Sequence, residues 1–267
     1  MNYEGLVERY KLHLQDMSIE EAANQFDAVQ MKYDGFWVML HIIDGEMRVV
    51  SSGAEVRKVI NIPDDGFDDT ILIAEWIFGT EWAGKKKLEG MKEFQVHDCI
   101  RVAGKDIEDL PYYARYDIMR QAMRAPVSWQ AIRTYPIREL DDVWARDGWE
   151  GVVFKNMYSG YGSPVGRCKH TFTMDYVFMG CNDGNGKYAG IAGSLIGGLY
   201  IDGVLTPVCK VGGLSNEQRQ EFWDNRESLK GSVFEAYGKG VFKSGALRHP
   251  AFLRMRTDKA AKDCRLV

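Results

Sequence analysis

At 267 residues, 45% hydrophobic and 27% charged, the chain has the composition of a globular protein with one large or two modest domains. Its net charge of −4 gives no general pull toward nucleic acid, no stretch approaches a membrane span, and the early charges of MNYEGLVERYKLHL argue against a signal peptide. Five single cysteines with no Cys-x-x-Cys pair argue against a zinc site and for a reducing compartment.

Residues 2–26 read as helices, with Ser18 and Glu21 placed as a capping box. Gln30-Met31-Lys32-Tyr33-Asp34-Gly35 then puts a lysine just before an Asp-Gly turn, and strand texture follows from Phe36. Asp44-Gly45 and Asp202-Gly203, each flanked by apolar runs, predict two hairpins. Pro63-Asp64-Asp65-Gly66 reads as a turn. Residues 70–78 form an apolar run holding one carboxylate, Glu75. An acid in a buried strand costs free energy unless it is partnered or used.

Residues 94–100 predict a strand, 112–124 a helix ended by Pro126, and 139–147 a further helix. Residues 149–155 predict a short strand with Glu150 at its start and Lys155 at its end. After Cys181 the texture changes to short strands and glycine turns. Ser215 with Gln218 caps one helix, and the strands around it predict a small barrel of the oligonucleotide-binding type, with a boundary near residue 176. Cations gather in the last third, at Lys239, Lys243, Arg248, Arg254, Arg256, Lys259, Lys262 and Arg265.

Taken in order, Lys32-Tyr33-Asp34-Gly35, Glu75, residues 94–98, Glu150-Gly151-Val152-Val153-Phe154-Lys155, Arg167-Cys168-Lys169 and Arg256-Thr257-Asp258-Lys259 resemble the covalent nucleotidyltransferases. The likeness is greatest to the small ATP-dependent DNA ligases of phages and bacteria. Gly186-Lys187-Tyr188-Ala189-Gly190 and Leu247-Arg248-His249-Pro250 extend it through the last third.

The resemblance implies an α+β fold. Residues 1–176 would be a nucleotidyltransferase domain of packed antiparallel sheets with helices (ATP-grasp-like), and residues 177–267 an OB-fold barrel. It also implies a three-step reaction. Lys32 attacks the α-phosphate of ATP, the AMP passes to the 5′-phosphate of a nick in duplex DNA, and the 3′-hydroxyl displaces it. Lys32 must lose its proton to attack, and nearby cations (Lys155, Arg167, Lys169) or a metal disfavour its charged form.

By the same resemblance, Lys32, Asp34, Glu150, Lys155 and Lys169 are catalytic, with Lys155 and Lys169 on the α-phosphate. Gln30, Met31, Glu75, His97, Phe94, Arg167, Arg256, Asp258 and Lys259 bind the nucleotide. Glu75 meets the ribose, and Glu150 and Glu75 are the Mg²⁺ ligands. The last motif orients the pyrophosphate, so the barrel must close over ATP and later swing away. A monomer acting in the cytoplasm on nicked duplex DNA is expected, without an N-terminal DNA-binding domain and with affinity falling steeply with salt.

Four positions depart from the family pattern. Trp37 stands where an arginine follows the Asp-Gly, and Ser52 where another arginine follows the hairpin. Arg48 or Arg57 are the nearby substitutes. His97 takes the place of the base-stacking aromatic, with Phe94 as the alternative. Arg167 replaces the first lysine of a Lys-x-Lys. The competing readings are an RNA ligase or capping guanylyltransferase with the same lysine chemistry, and a non-catalytic nucleic-acid-binding module.

Overall fold

A computed structural model describes residues 3–12, 14–63, 66–77, 91–146 and 149–266. The expected turn at Asp64-Asp65, Phe78 at the end of its apolar run, and Asp147 at the end of its helix lie outside the described residues. The chain is mixed α+β with mostly antiparallel sheets, and it divides into two compact units, the first ending at Lys169 and the second running from His170. Among the described residues no helix is long and apolar enough to cross a membrane.

The first unit holds two sheets. In one, the strand order is Leu14–Asp16, Val165–Lys169, Gly151–Lys155, Ala28–Lys32, Thr134–Pro136. In the other it is Val56–Asn61, Glu46–Ser51, Phe36–Ile43, Thr70–Trp76, Phe94–Val102, Lys105–Asp106, with Trp129–Ala131 also pairing to Phe94–Val102. The chain passes from the first sheet to the second at Tyr33-Asp34-Gly35, so Lys32 is the last residue of one sheet and Phe36 the first of the other.

Strand alternation divides the second sheet into two buried faces. Val38, Leu40, Ile42, Leu72 and Ala74 pack under the helix Tyr112–Ala122, through Met119 and Ala122. Met39, Val50, Ile71, Ile73 and Ile100 pack against Tyr3, Val7 and Tyr10 of the N-terminal segment.

That segment is not helical throughout, as the sequence suggests. Helices Glu4–Tyr10 and Ile19–Gln25 are present, the second with the expected Ser18–Glu21 capping box, but Leu14–Asp16 is a strand running parallel to Val165–Lys169. Its partner strand is about 150 residues away, beyond the reach of local periodicity. Both hairpins form as predicted: Asp44 and Gly45, and Asp202 and Gly203, have positive φ at both central positions, the backbone that matches strand twist.

The second unit is a five-stranded antiparallel sheet ordered Val204–Val211, Ala192–Ile201, Phe172–Asp183, Val233–Gly238, Ala251–Arg256. Its helix Asn216–Asp224 carries the Ser215–Gln218 capping box and buries Phe222 on Phe178. The two outer strands meet at one point, where Gly212 and Ala251 form an isolated bridge.

Candidate active site

A cavity opens between the two sheets of the first unit. Lys32, Glu75 and Trp37 line one part of it, and His97, Tyr112 and Lys155 another.

At the first end, register explains the chemistry. Lys169, Gly151 and Lys32 stand side by side on three adjacent strands. Gly151 contributes no side chain between the two lysines, and it must be glycine. Its φ is +151°, and a Cβ there would lie 2.1 Å from the Cys168 carbonyl oxygen. The Glu150 backbone N–H donates to the Lys32 carbonyl at 3.0 Å, which turns the Glu150 carboxylate toward that gap. Lys32 Nζ donates to Glu150 Oε2, and Lys169 Nζ lies 2.9 Å from Oε1. Burial drives the Glu150 pKa up, but Lys32 and Lys169 together hold it below the usual carboxylate value. Two ammonium groups share one carboxylate, leaving one positive charge in excess.

Glu75 faces the same end. Its Oε1 accepts from the Gly35 N–H at 3.0 Å, and Gly35 sits so close that a Cβ would meet the Trp76 carbonyl oxygen at 2.6 Å. Burial pushes the Glu75 carboxyl up to about 7, against the pull of Lys32 and the Gly35 N–H. Trp37 is the cross-strand neighbour of Glu75. Asp34 lies in the crossing turn.

The deep end depends on a β-bulge. Ala74 pairs with Val96 and Ile73 with Asp98, so His97 is an extra residue in its strand. His97 and Asp98 both line the cavity, and the His97 carbonyl is left to accept from Tyr112 Oη and Lys155 Nζ, each at 3.0 Å. Lys155 Nζ also lies 4.0 Å from the centre of the Tyr112 ring and 3.7 Å from Asp98 Oδ2. Burial brings the Lys155 pKa down to about 8. Burial, then Lys155 and Lys32, hold His97 well below the ordinary histidine value, so its ring is neutral. Gln30 is fully buried and donates to Tyr112 Oη at 2.7 Å and Thr134 Oγ1 at 2.9 Å, and Met31 follows it in the lining.

Not every residue singled out in the sequence meets the cavity as expected. Lys155 belongs to the deep end rather than the Lys32 end. It is four residues along the strand from Gly151, roughly 13 Å. Phe94 is wholly buried in the core and stacks on Trp76 with centroids 5.8 Å apart; of the two, only His97 lines the cavity. Arg167 is drawn to Asp16 by two hydrogen bonds, 2.6 and 3.0 Å; like Asp34, Glu150 and Lys169, it is not among the lining residues, and Glu150 and Lys169 adjoin the cavity through Lys32. Arg48 is held by Glu46 at 3.1 Å and Arg57 by Glu55 at 2.6 Å. Arg256, Asp258 and Lys259 lie in the second unit. There Asp175 receives Arg256 Nη1 at 3.1 Å and Lys259 Nζ at 2.6 Å, and Asp258 receives Arg256 Nε at 2.8 Å.

The structure also brings in residues that sequence reasoning missed, Leu12, Leu14, Tyr112, Arg115 and Tyr161, and places Asp98, read there only as part of the 94–98 motif, in the lining. Arg115 had a signal. It stands on the buried stripe Tyr112, Arg115, Met119, Ala122, where an arginine is out of place unless paired.

No family model matches the chain. Among curated proteins, a DNA ligase of Natronomonas pharaonis is 27% identical, covering 88% of this chain and 52% of its own length. A DNA ligase of Methanosphaerula palustris is 29% identical over 63% of this chain and 35% of its own length. Among solved structures, a Lig E DNA ligase superposes with a TM-score of 0.60 at 17% identity, covering 92% of this chain and 100% of that one. The chain resembles the DNA ligases. It spans about half the length of the first of these curated relatives or less. The fold of the DNA ligases is therefore shared.

Proposed function

We propose that the protein is an ATP-dependent DNA ligase (ligase class 6.5.1) that seals 5′-phosphate/3′-hydroxyl nicks in duplex DNA. The observation that carries this reading is the pairing of Lys32, which lines the cavity, and Lys169 on one buried carboxylate, Glu150. An amine nucleophile, a second cation and one surplus positive charge are what the α-phosphate of ATP needs, because phosphoryl transfer is mainly positioning and charge neutralisation.

In the first step the Lys32 amine, freed of its proton, attacks the α-phosphorus. The bond to the β-phosphate oxygen breaks, and pyrophosphate leaves. The AMP then passes to the 5′-phosphate of the nick, and the 3′-hydroxyl displaces it. Lys169 stays beside the phosphate, while Glu75 receives the ribose. His97, Gln30, Met31 and Lys155 hold the rest of the nucleotide in the deep end.

Among the described residues no group of three or more His, Cys, Asp or Glu side chains forms a metal cage. Glu150 and Glu75 fit a Mg²⁺ held by one or two carboxylates with the substrate's own phosphates completing its oxygens. Bound there, the ion would neutralise charge on the transferred phosphate.

The second unit fits an OB-fold barrel closed through Gly212 and Ala251, with the Arg256–Asp258–Lys259 group as the pyrophosphate-orienting motif. The domains would divide near residue 176, a few residues past the unit boundary at Lys169. We assign the protein as a cytoplasmic monomer. The ligase names of the relatives favour DNA over RNA sealing or capping.

The test is incubation with α-labelled ATP and Mg²⁺, a denaturing gel, then addition of a nicked duplex. The expected result is label on wild-type protein but not on Lys32→Ala, followed by a sealed strand. An unlabelled wild-type protein overturns the reading.

A further inference from the structure

We infer that Arg115 is a positioning residue for nucleotide binding, acting through Asp98 to keep the Lys155 ammonium free for the ligand. This deepens the nucleotide-transfer reading and rests on it.

Arg115 is 3% exposed at its side chain, and every nitrogen of its guanidinium is committed to protein. Nε and Nη2 donate to the two oxygens of Asp98 at 2.9 and 3.1 Å. Nη1 donates to the Leu110 carbonyl, and to that of Ser159 at 3.3 Å. Arg115 thus ties the strand of Asp98 to the helix entry and to the loop of residues 156–164 that walls the cavity. Each of its three nitrogens is turned to a protein acceptor, so its part in ligand binding is to position other groups.

Asp98 is equally committed. Its Oδ1 takes Arg115 Nε and the Cys99 N–H at 2.9 Å, and its Oδ2 takes Arg115 Nη2. Lys155 Nζ stands 3.7 Å from Oδ2, a looser ion pair than the two arginine bonds and beyond hydrogen-bond length. It donates instead to the His97 carbonyl at 3.0 Å. The planar fork of arginine fills the carboxylate from one side, and an ammonium on a flexible stem cannot compete with it. The group Arg115, Asp98 and Lys155 therefore repeats the charge pattern of the other end, two cations on one carboxylate. Here, however, the arginine takes the carboxylate and the lysine is the surplus.

Without Arg115, Asp98 would be a buried carboxylate with one cation within reach. Lys155 would close the last ångström and become its partner, and the cavity would lose that cation.

The test uses Arg115→Met and the double variant Asp98→Asn/Arg115→Met. Each is measured by calorimetric binding of ATP and by the KM and kcat of covalent labelling. Arg115→Met is expected to raise Kd and KM for ATP about tenfold or more, the scale of one charge-assisted hydrogen bond, with kcat little changed. The double variant, which removes the captor as well, is expected to recover most of that loss. A purely structural role predicts the reverse, a double variant no better than the single one, and that result overturns the inference, as does an unchanged KM in Arg115→Met. If Arg115→Met does not fold, Arg115→Lys serves instead. It can hold only one Asp98 oxygen, and it should show a smaller shift that Asp98→Asn reverses. Wild-type protein that binds ATP but takes no label would overturn the transfer reading alone.

Discussion

Glu150 receives Lys32 on one carboxylate oxygen and Lys169 on the other. Glu150→Gln would leave two largely buried ammonium groups facing each other across Gly151. Labelling from ATP should fall about a hundredfold or more, as when one preorganised electrostatic partner is lost. Unfolding free energy should drop by about 3 kcal/mol, because removing one member of a buried ion pair strands the other. Labelling and urea midpoints check both, and wild-type labelling would remove Glu150 from the site.

Gly151→Ala should be among the most damaging single substitutions in the first unit. The new methyl would overlap the Cys168 carbonyl, and the backbone angle is one that alanine resists. Separation of the two strands should cost about 3 kcal/mol or more, read as a fall in denaturation midpoint. A midpoint within error of wild type would show that the strands part without strain.

Glu75 sets a pH dependence. Its carboxyl titrates near 4.5 when unfolded and about 7 when folded. Between those values the folded chain keeps a proton that the unfolded chain has released. Stability is therefore lost as pH rises from 4.5 to 7, and the loss is complete above 7. Glu75→Gln should raise unfolding free energy at pH 8 by about 2 kcal/mol, with no gain at pH 4, while slowing nucleotide transfer. Equal effects at both pH values would contradict the assignment.

His41 acts in the opposite direction. It is buried between Tyr3 Oη and Asp69, each 3.1 Å from a ring nitrogen. Burial lowers its pKa more than Asp69 raises it, and Arg48 and Arg101 lower it further. The folded chain holds the neutral ring, so stability falls as pH drops below the unfolded value near 6.5. His97 adds to the same trend. Melting temperature from pH 8 to 5 should decline more steeply in wild type than in His41→Gln. Parallel curves would mean that His41 titrates as it does in the unfolded chain.

Phe94 and His97 can be told apart by one pair of variants. Phe94→Leu should cost about 1 kcal/mol in stability and leave the KM for ATP unchanged, because the ring lies in the core. His97→Ala should raise that KM. A raised KM in Phe94→Leu would return the base-stacking role to Phe94.

Most elements and the Lys32 end were legible because their signals are local: Asp-Gly hairpins, serine caps, and charged residues at strand ends. What escaped depended on distant pairing or on broken periodicity. Leu14–Asp16 looked helical because its partner lies at Val165–Lys169, and the same pairing places Asp16 where it takes Arg167. The order of residues 94–98 could not choose between Phe94 and His97, because a bulge changes which face the later residues show. The resemblance puts Lys155 with the phosphate, and sequence does not show that its ammonium stands over the Tyr112 ring and beside the His97 carbonyl.

That bulge gives the scaffold and its cargo separate fates. With His97 deleted, Val96 and Asp98 would become neighbours in the strand, still opposite Ala74 and Ile73. The ring at the bottom of the cavity is thus borne by a residue the sheet does not count, like a bead slipped onto a thread already tied at both ends. Evolution could exchange or erase it, and with it the shape of the cavity floor, while every strand kept its place.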